Sequence, residues 1–428
     1  MKVKYAKIKQ YMKLLEKYIW RNVTPVANIY TCPCGYKEGN TPPALSEMQP
    51  YEQGTFWGSG WDSHAWFRFT VTPTAPNTFL RIETERKKGW DADNPQFILY
   101  VNGKMVQGLD INHRESPLAC GETAEVAIYA YTGPKIERAQ LFADLMELDV
   151  DVNGLYYDIN YPFEMLKYLG GESTEYARIV DYLWRAVSML DLFDFESDDF
   201  RQSVLRAREF LATEFYGSYC RPQDATVIGI GHTHIDCAWK WTLRQTREKV
   251  QRSFSTVLEL MRRYPEYKFM SSQALLYKNL KEEAPDIYEQ VKERIREGRW
   301  ECEGAMWVEA DCNISSGESL VRQILYGKNY FLDEFGVENR VLWLPDVFGY
   351  SAALPQILRK SGVDWFVTSK ISWNDTNRMP YDTFRWRGID GTEVNTQFIT
   401  AQDDYGGETG RGCTYVGSTR STQVQGTY

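Results

Sequence analysis

Residues 231–239 read Gly-His-Thr-His-Ile-Asp-Cys-Ala-Trp and place two of the chain's four histidines beside an aspartate. An imidazole nitrogen and a carboxylate oxygen are the donors of zinc-type centres. If the backbone stays extended here, side chains alternate with period two, so His234 and Asp236 share one side and His232 joins them. A lone histidine at a strand end is more often a hydrogen-bonded structural residue, but two histidines with an acid point to metal or catalytic work.

Other reactive groups follow apolar runs further along. Asp346 closes Trp343-Leu-Pro-Asp; its competing use is as a helix N-cap. Residues 307–313, Trp-Val-Glu-Ala-Asp-Cys-Asn, supply Glu309, Asp311 and Asn313, and the Ser316-Gly-Glu-Ser run behind them reads as helix-start chemistry. Lys370, Trp373 and Asn374 come after a fourth run. Acids, a metal-type pair and tryptophans converging on one face describe a sugar-hydrolysing pocket, because glycosidic cleavage uses two carboxylates and aromatic stacking surfaces.

Those groups need elements to hold them. Val227, Ile228 and Ile230 suit a buried strand, and the amphipathic stretch 240–263 suits a helix after it, which puts residues 232–239 at the carboxyl end of a parallel strand, where α/β sheets bind ligands. The same rhythm continues to about residue 400, with helices expected near 287–297, 318–334 and 354–361 and strands near 267–273, 299–304, 340–346, 365–369 and 394–400. It predicts a mostly parallel βα sheet or barrel. Upstream, residues 57–148 carry short alternating runs and an Asn102-Gly103 turn, the texture of a β-sandwich. His64 and His113 fall there and are expected to be structural. Apolar positions at helical spacing over residues 3–22 and in 150–222 predict helices. The fold class is therefore multidomain α/β: an N-terminal helix and lead-in (1–50), a β-sandwich-like domain (51–150), a helical connector (151–223) and a βα catalytic domain (224–428), incomplete at its end.

Length and charge limit the partners. A chain of 428 residues exceeds one ordinary core, and a net charge of −9 argues against nucleic acid or an anionic membrane surface. No apolar stretch is long enough for a membrane span, and the charged N-terminus contains no signal-peptide core, so a cytoplasmic protein is expected. Eight cysteines, singly placed apart from Cys32-Pro-Cys34, fit reduced thiols, and no structural zinc ribbon is expected. A homo-oligomer is allowed.

Four ordered segments, 231–239, 307–323, 343–351 and 372–377, together resemble the family 38 glycoside hydrolases, the α-mannosidases, and most of all their cytosolic and bacterial branch. The resemblance implies a retaining exo-α-mannosidase that removes terminal α-D-mannosyl residues from oligosaccharides, with zinc or another divalent cation in the subsite. Carried over, His234 and Asp236 are metal ligands, Asp346 is ligand and nucleophile, and Trp239 is a wall of the sugar subsite. The family's fourth ligand is a downstream histidine, and no histidine follows His234. Its acid/base also lies later, so both are expected beyond Tyr428 and the isolated chain is expected to be inactive; Asp403, Asp404 and Glu408 read better as a solvated glycine-rich loop. The competing readings are a metal-dependent amidohydrolase, which needs further histidines, and a non-catalytic carbohydrate-binding protein, which would survive chelation.

Overall fold

The computed structural model describes residues 2–36, 41–85, 91–133, 135–171, 173–220, 229–374, 376–377 and 379–399. Helix α1 (Lys2–Tyr18) opens the chain, followed by β1 (Trp20–Pro25), β2 (Ile29–Cys34), β3 (Gln49–Tyr51), β4 (His64–Val71), β5 (Thr78–Glu83), β6 (Gln96–Val101), β7 (Lys104–Leu109), β8 (Glu115–Pro117), β9 (Ala124–Tyr131) and β10 (Phe142–Leu148). These strands form two antiparallel sheets, β3-β2-β4-β9-β6-β7 and β1-β10-β5-β8. Phe67, Leu99 and Ile128 of the first pack on Leu80, Ile82 and Ala143 of the second. Asn102 and Gly103 both have positive φ, which lets a two-residue turn follow the strand twist between β6 and β7.

Helices α2 (Val150–Met165), α3 (Thr174–Val187) and α4 (Asp198–Phe210) come next, α4 running on into a π-helical segment, Leu211–Tyr219. Ile8, Met12 and Leu15 of α1 insert among Val152, Leu155 and Ile159 of α2 and Leu183 and Val187 of α3, so the apolar stripe read in residues 3–22 is a core face.

The remainder alternates: β11 (Gly231–His232), α5 (Leu243–Arg263), β12 (Phe269–Ser271), α6 (Ala274–Glu283), α7 (Pro285–Arg296), β13 (Trp300–Cys302), α8 (Gly317–Phe335), β14 (Val341–Leu344), α9 (Leu354–Lys360), β15 (Trp365–Thr368), β16 (Thr383–Arg387) and β17 (Glu393–Phe398). Strands β11-β12-β13 pair in parallel, as do β14-β15-β17, and a parallel bridge from Gly304 to Leu342 links the two sets; β16 runs antiparallel on the edge. The protein is thus mixed α/β with several sheets. Val227 and Ile228 lie outside the described residues, and Ile230 is 50 % exposed, so it is not the buried strand residue expected from its type.

Candidate metal and catalytic centre

The polar groups collect at the carboxyl ends of the parallel strands. After β11, Ile235 is buried in the core, and His234 and Asp236 meet, with Nε2 3.1 Å from Asp236 Oδ1. Asp346, two residues beyond β14, brings Oδ2 to 3.3 Å from the same Nε2. Donor atoms of His234, Asp236 and Asp346 all lie within 4.8 Å of one another. One imidazole and two carboxylates form a donor set that could hold a divalent cation.

Neighbouring elements fix each ligand. The carbonyls on both sides of Asp346 are tied down: Ser369 donates to Pro345 O at 2.6 Å and Tyr350 to Val347 O at 2.7 Å. The Trp241 indole donates to Asp236 O at 3.2 Å, and Thr246 at the start of α5 donates to Cys237 O at 2.6 Å. Behind the histidine stands Glu309, whose buried side chain brings Oε2 to 2.8 Å from Nδ1 and accepts a 2.5 Å hydrogen bond from Ser272 on its other oxygen. The 2.8 Å approach is not aligned as a hydrogen bond, so Nδ1 and Oε2 are buried polar atoms without one. A cation on Nε2 would put the ring proton on Nδ1, facing Glu309, the carboxylate–histidine–metal arrangement that orients metal-bound imidazoles. The residues fit a metal on this ground.

Charge explains the protonation states. Burial works to lower the His234 pKa, but the nearby Glu309 charge and the interactions with the Asp236 and Asp346 carboxylates outweigh it, and the imidazole is held well above its usual value. Burial would raise Asp346; hydrogen bonds from His234 and Lys370 overcome it and keep the carboxyl below its usual range. Lys370 Nζ sits 2.7 Å from Asp346 Oδ1 and 3.9 Å from the centre of the Trp373 ring. Trp373 is 61 % and Phe348 67 % exposed, and their rings meet edge to face at 5.8 Å, an aromatic surface beside the carboxylate. Trp239 is half exposed on the other strand-end loop, against Trp241.

His232 does not join the cluster. Its Nδ1 lies 3.0 Å from Met270 O, and its Nε2 receives the Trp343 indole N–H at 3.3 Å, so both ring nitrogens serve to join strand ends. Asp311 and Asn374 are exposed, with oxygens that accept from backbone N–H groups two and three residues on, Asx-turn chemistry. Asn313 is also exposed; its amide lies over Gly349, so that a Cβ there would come within 2.1 Å of Nδ2 and the amide would have to move aside. Gly327 of α8 lies against the backbone of 305–307, which leaves no room for a side chain and lets the segment carrying Glu309 sit down on the helix.

Two supporting residues carry no sequence signal beyond their place at a strand end. Gln273, buried and at φ 66°, donates to Ile235 O at 2.9 Å and accepts from Glu309 N at 3.3 Å, so it joins the first strand-end loop to the third. A non-glycine residue held in that region costs energy and persists where surrounding structure overdetermines it. Ser272, next to it, is the donor that orients Glu309.

Residues 224–423 match the glycosyl hydrolases family 38 N-terminal domain, and every residue of the cluster lies inside that span. This part of the chain is a glycosyl hydrolase family 38 N-terminal domain. The chain is similar to an α-mannosidase of Saccharomyces cerevisiae (40 % identical over 265 residues, 59 % of this chain and 24 % of that one) and to α-mannosidase G of Dictyostelium discoideum (45 % identical over 193 residues, 45 % and 18 %). Likeness to α-mannosidase 2C1 of Homo sapiens, 33 % identical, covers 84 % of this chain and 36 % of that protein, and so extends well beyond the matched domain. The chain spans 36 % or less of the length of these three relatives. Among the described residues the chain has seven free cysteines and no helix long and apolar enough to cross a membrane.

Proposed function

We propose that the protein carrying this chain is a retaining exo-α-mannosidase that uses a divalent cation, zinc first, to hydrolyse terminal α-D-mannosyl residues of oligosaccharides in the cytoplasm. The observation that carries the reading is Asp346, an ionised carboxylate held between His234 and Lys370 beside an exposed aromatic surface, in a family 38 N-terminal domain. His234, Asp236 and Asp346 would hold the cation, which when bound supplies a chelating centre for adjacent hydroxyls of the sugar and charge stabilisation near its ring. Trp373 and Phe348 offer an apolar wall for the sugar face.

In this scheme the Asp346 carboxylate attacks C1 while the bond from C1 to the glycosidic oxygen breaks, and water later cleaves the resulting glycosyl ester with a second inversion, restoring the α configuration. Lys370 holds the attacking carboxylate in place through Oδ1 and leaves its other oxygen toward His234. The leaving oxygen needs a proton from a further acid. Asp403, Asp404 and Glu408 lie outside the described residues, and we assign the acid and a fourth metal ligand to the length of family 38 proteins that this chain does not span.

NMR of the first-formed anomer from an aryl α-mannoside tests the reading on the longer protein. α-Mannose appearing first, and loss of turnover on chelation with recovery on adding zinc, are the expected results. Initial release of β-mannose would overturn retention, and turnover indifferent to chelator would overturn the metal.

A further inference from the structure

Helix α5 starts immediately after the metal loop, and its first turn is gripped from the β-sandwich. Gln245 is the third residue of a capping box: its Oε1 accepts from Thr242 N at 3.0 Å while Thr242 Oγ1 accepts from Gln245 N at 3.3 Å. The same side chain's amide nitrogen donates outward, to Asp62 Oδ1 at 2.8 Å and to Thr132 O at 3.2 Å, both in the sandwich. Asp62 also pairs with Arg244, and it is presented on a left-handed backbone at φ 53°, an arrangement that costs energy in a residue bearing a side chain. Five residues earlier, Lys240 Nζ meets Asp93 of the sandwich at 3.2 Å. Between these two grips lies Trp241, whose indole holds the Asp236 carbonyl, and directly after them comes Thr246, whose hydroxyl holds the Cys237 carbonyl.

We propose that Asp62 and Gln245 are positioning residues for the metal centre: through the first turn of α5 the sandwich sets where the His234 to Asp236 loop stands. The chain of contacts is short and directional. Asp62 and the Thr132 carbonyl orient Gln245; Gln245 fixes the start of the helix; Thr246 and Trp241 transmit that position to the backbone of Cys237 and Asp236. Gln245 is 3 % exposed, so water cannot replace the amide's partners when they are lost. Ligand geometry that depends on such outer contacts loses affinity when they are removed. The sandwich is then part of the metal site's framework, and its loop at Asp62 is fixed by that duty.

This inference rests on reading His234, Asp236 and Asp346 as a metal site, and zinc titration of the 428-residue chain separates the two. The informative variant is Gln245→Glu, which keeps the capping-box acceptor but turns the donor that faces Asp62 and Thr132 O into a second carboxylate. Zinc Kd is expected to rise about 10-fold or more. Asp62→Ala, which removes the acceptor from the other side, should reproduce the loss if Gln245→Glu fails to fold. The control is Thr256→Val, further along α5, which removes a hydroxyl bonded to Gly108 N at 3.1 Å and Gly108 O at 3.2 Å and loosens the same interface away from the loop. It should lower the melting temperature yet leave zinc Kd within about twofold, as independent sites do. Equal zinc affinity in wild type and Gln245→Glu, or an equal loss in Thr256→Val, would overturn the positioning role alone. Absence of zinc binding by the wild type would overturn the metal reading together with it.

Discussion

At the scale of single residues, the centre is a histidine surrounded by three carboxylates, with Lys370 balancing one of them. On the proposed mechanism, replacing Asp346 by alanine in the longer protein removes the proposed ligand and the proposed attacking carboxylate together, and turnover of an aryl α-mannoside is expected to fall by several orders of magnitude. Retention of more than about a tenth of the wild-type rate would end its assignment as nucleophile, since ~10-fold is only about 1.4 kcal/mol of barrier. Glu309 is different in kind. It lies against His234 and outside the proposed ligand set, so on that proposal Glu309→Gln should weaken zinc binding by about 10- to 100-fold, and Glu309→Asp, which keeps the charge, should recover part of the loss. Calorimetric titration of the metal-free chain measures both, and unchanged affinity in Glu309→Gln would remove Glu309 from the centre.

Among the elements, α5 carries most of the load. Val250, Phe254 and Met261 face the parallel sheet and pack with Phe269 and Trp300, as its apolar stripe predicts. Arg244 and Arg262 reach solvent, but much of its polar side does not. Gln245, Glu248, Arg252 and Thr256 are buried against the six-stranded sheet, each with partners there: Arg252 with Asp110, Thr256 with Gly108, Glu248 with Tyr129 at 2.8 Å. Burial raises the Glu248 carboxyl to about 7, an effect the neighbouring His64 and the Tyr129 hydroxyl only partly offset. The folded form therefore holds this proton more tightly than the unfolded chain. The associated stability is present at and below the ordinary carboxyl pKa and is lost as pH rises through about 7. Glu248→Gln stays neutral throughout, so its melting temperature relative to wild type should rise between pH 5 and pH 8. The His64 imidazole, held low by burial, lies 3.3 Å from this carboxylate and loses its charge partner in Glu248→Gln, so the difference reports the titration of the pair. A difference independent of pH would show that the pair does not titrate in this window.

For the molecule as a whole, the family 38 domain at residues 224–423 and the span of the match to longer relatives set the expectation. His234, Asp236 and Asp346 offer three donors, enough to hold zinc as catalytic sites with three protein ligands do. General acid catalysis of the kind proposed supplies about 10²- to 10⁴-fold in rate. The 428-residue chain alone is therefore expected to bind zinc measurably and to show essentially no turnover of an aryl α-mannoside. Zinc titration and an aryl-mannoside assay on the same preparation check this. Robust turnover would assign the acid to a carboxylate of this chain and withdraw the assignment to the relatives' remaining length.

Local rules account for much of what was legible in the sequence. Close spacing brought His234 and Asp236 together, Asn102-Gly103 marked a hairpin, Ser316 caps α8 as its type suggests, and the βα rhythm appears as parallel strands with intervening helices. These depend on neighbours a few residues away, so composition and spacing suffice. Contacts across a hundred residues do not announce themselves. His232 and His234 are the same residue type two positions apart, yet one spends both nitrogens on Met270 and Trp343 and the other faces Asp346, because only packing decides which partners arrive. Gln273 and Ser272 are ordinary polar residues until β12 sets them beneath Glu309. Most plainly, the polar face of α5 has the pattern of a solvated surface, and the tertiary structure turns much of it into a buried seam by bringing a second sheet whose Asp62, Asp110 and Tyr129 satisfy it. A polar side chain is equally content with water or with a matched partner, and sequence pattern cannot tell which it will meet.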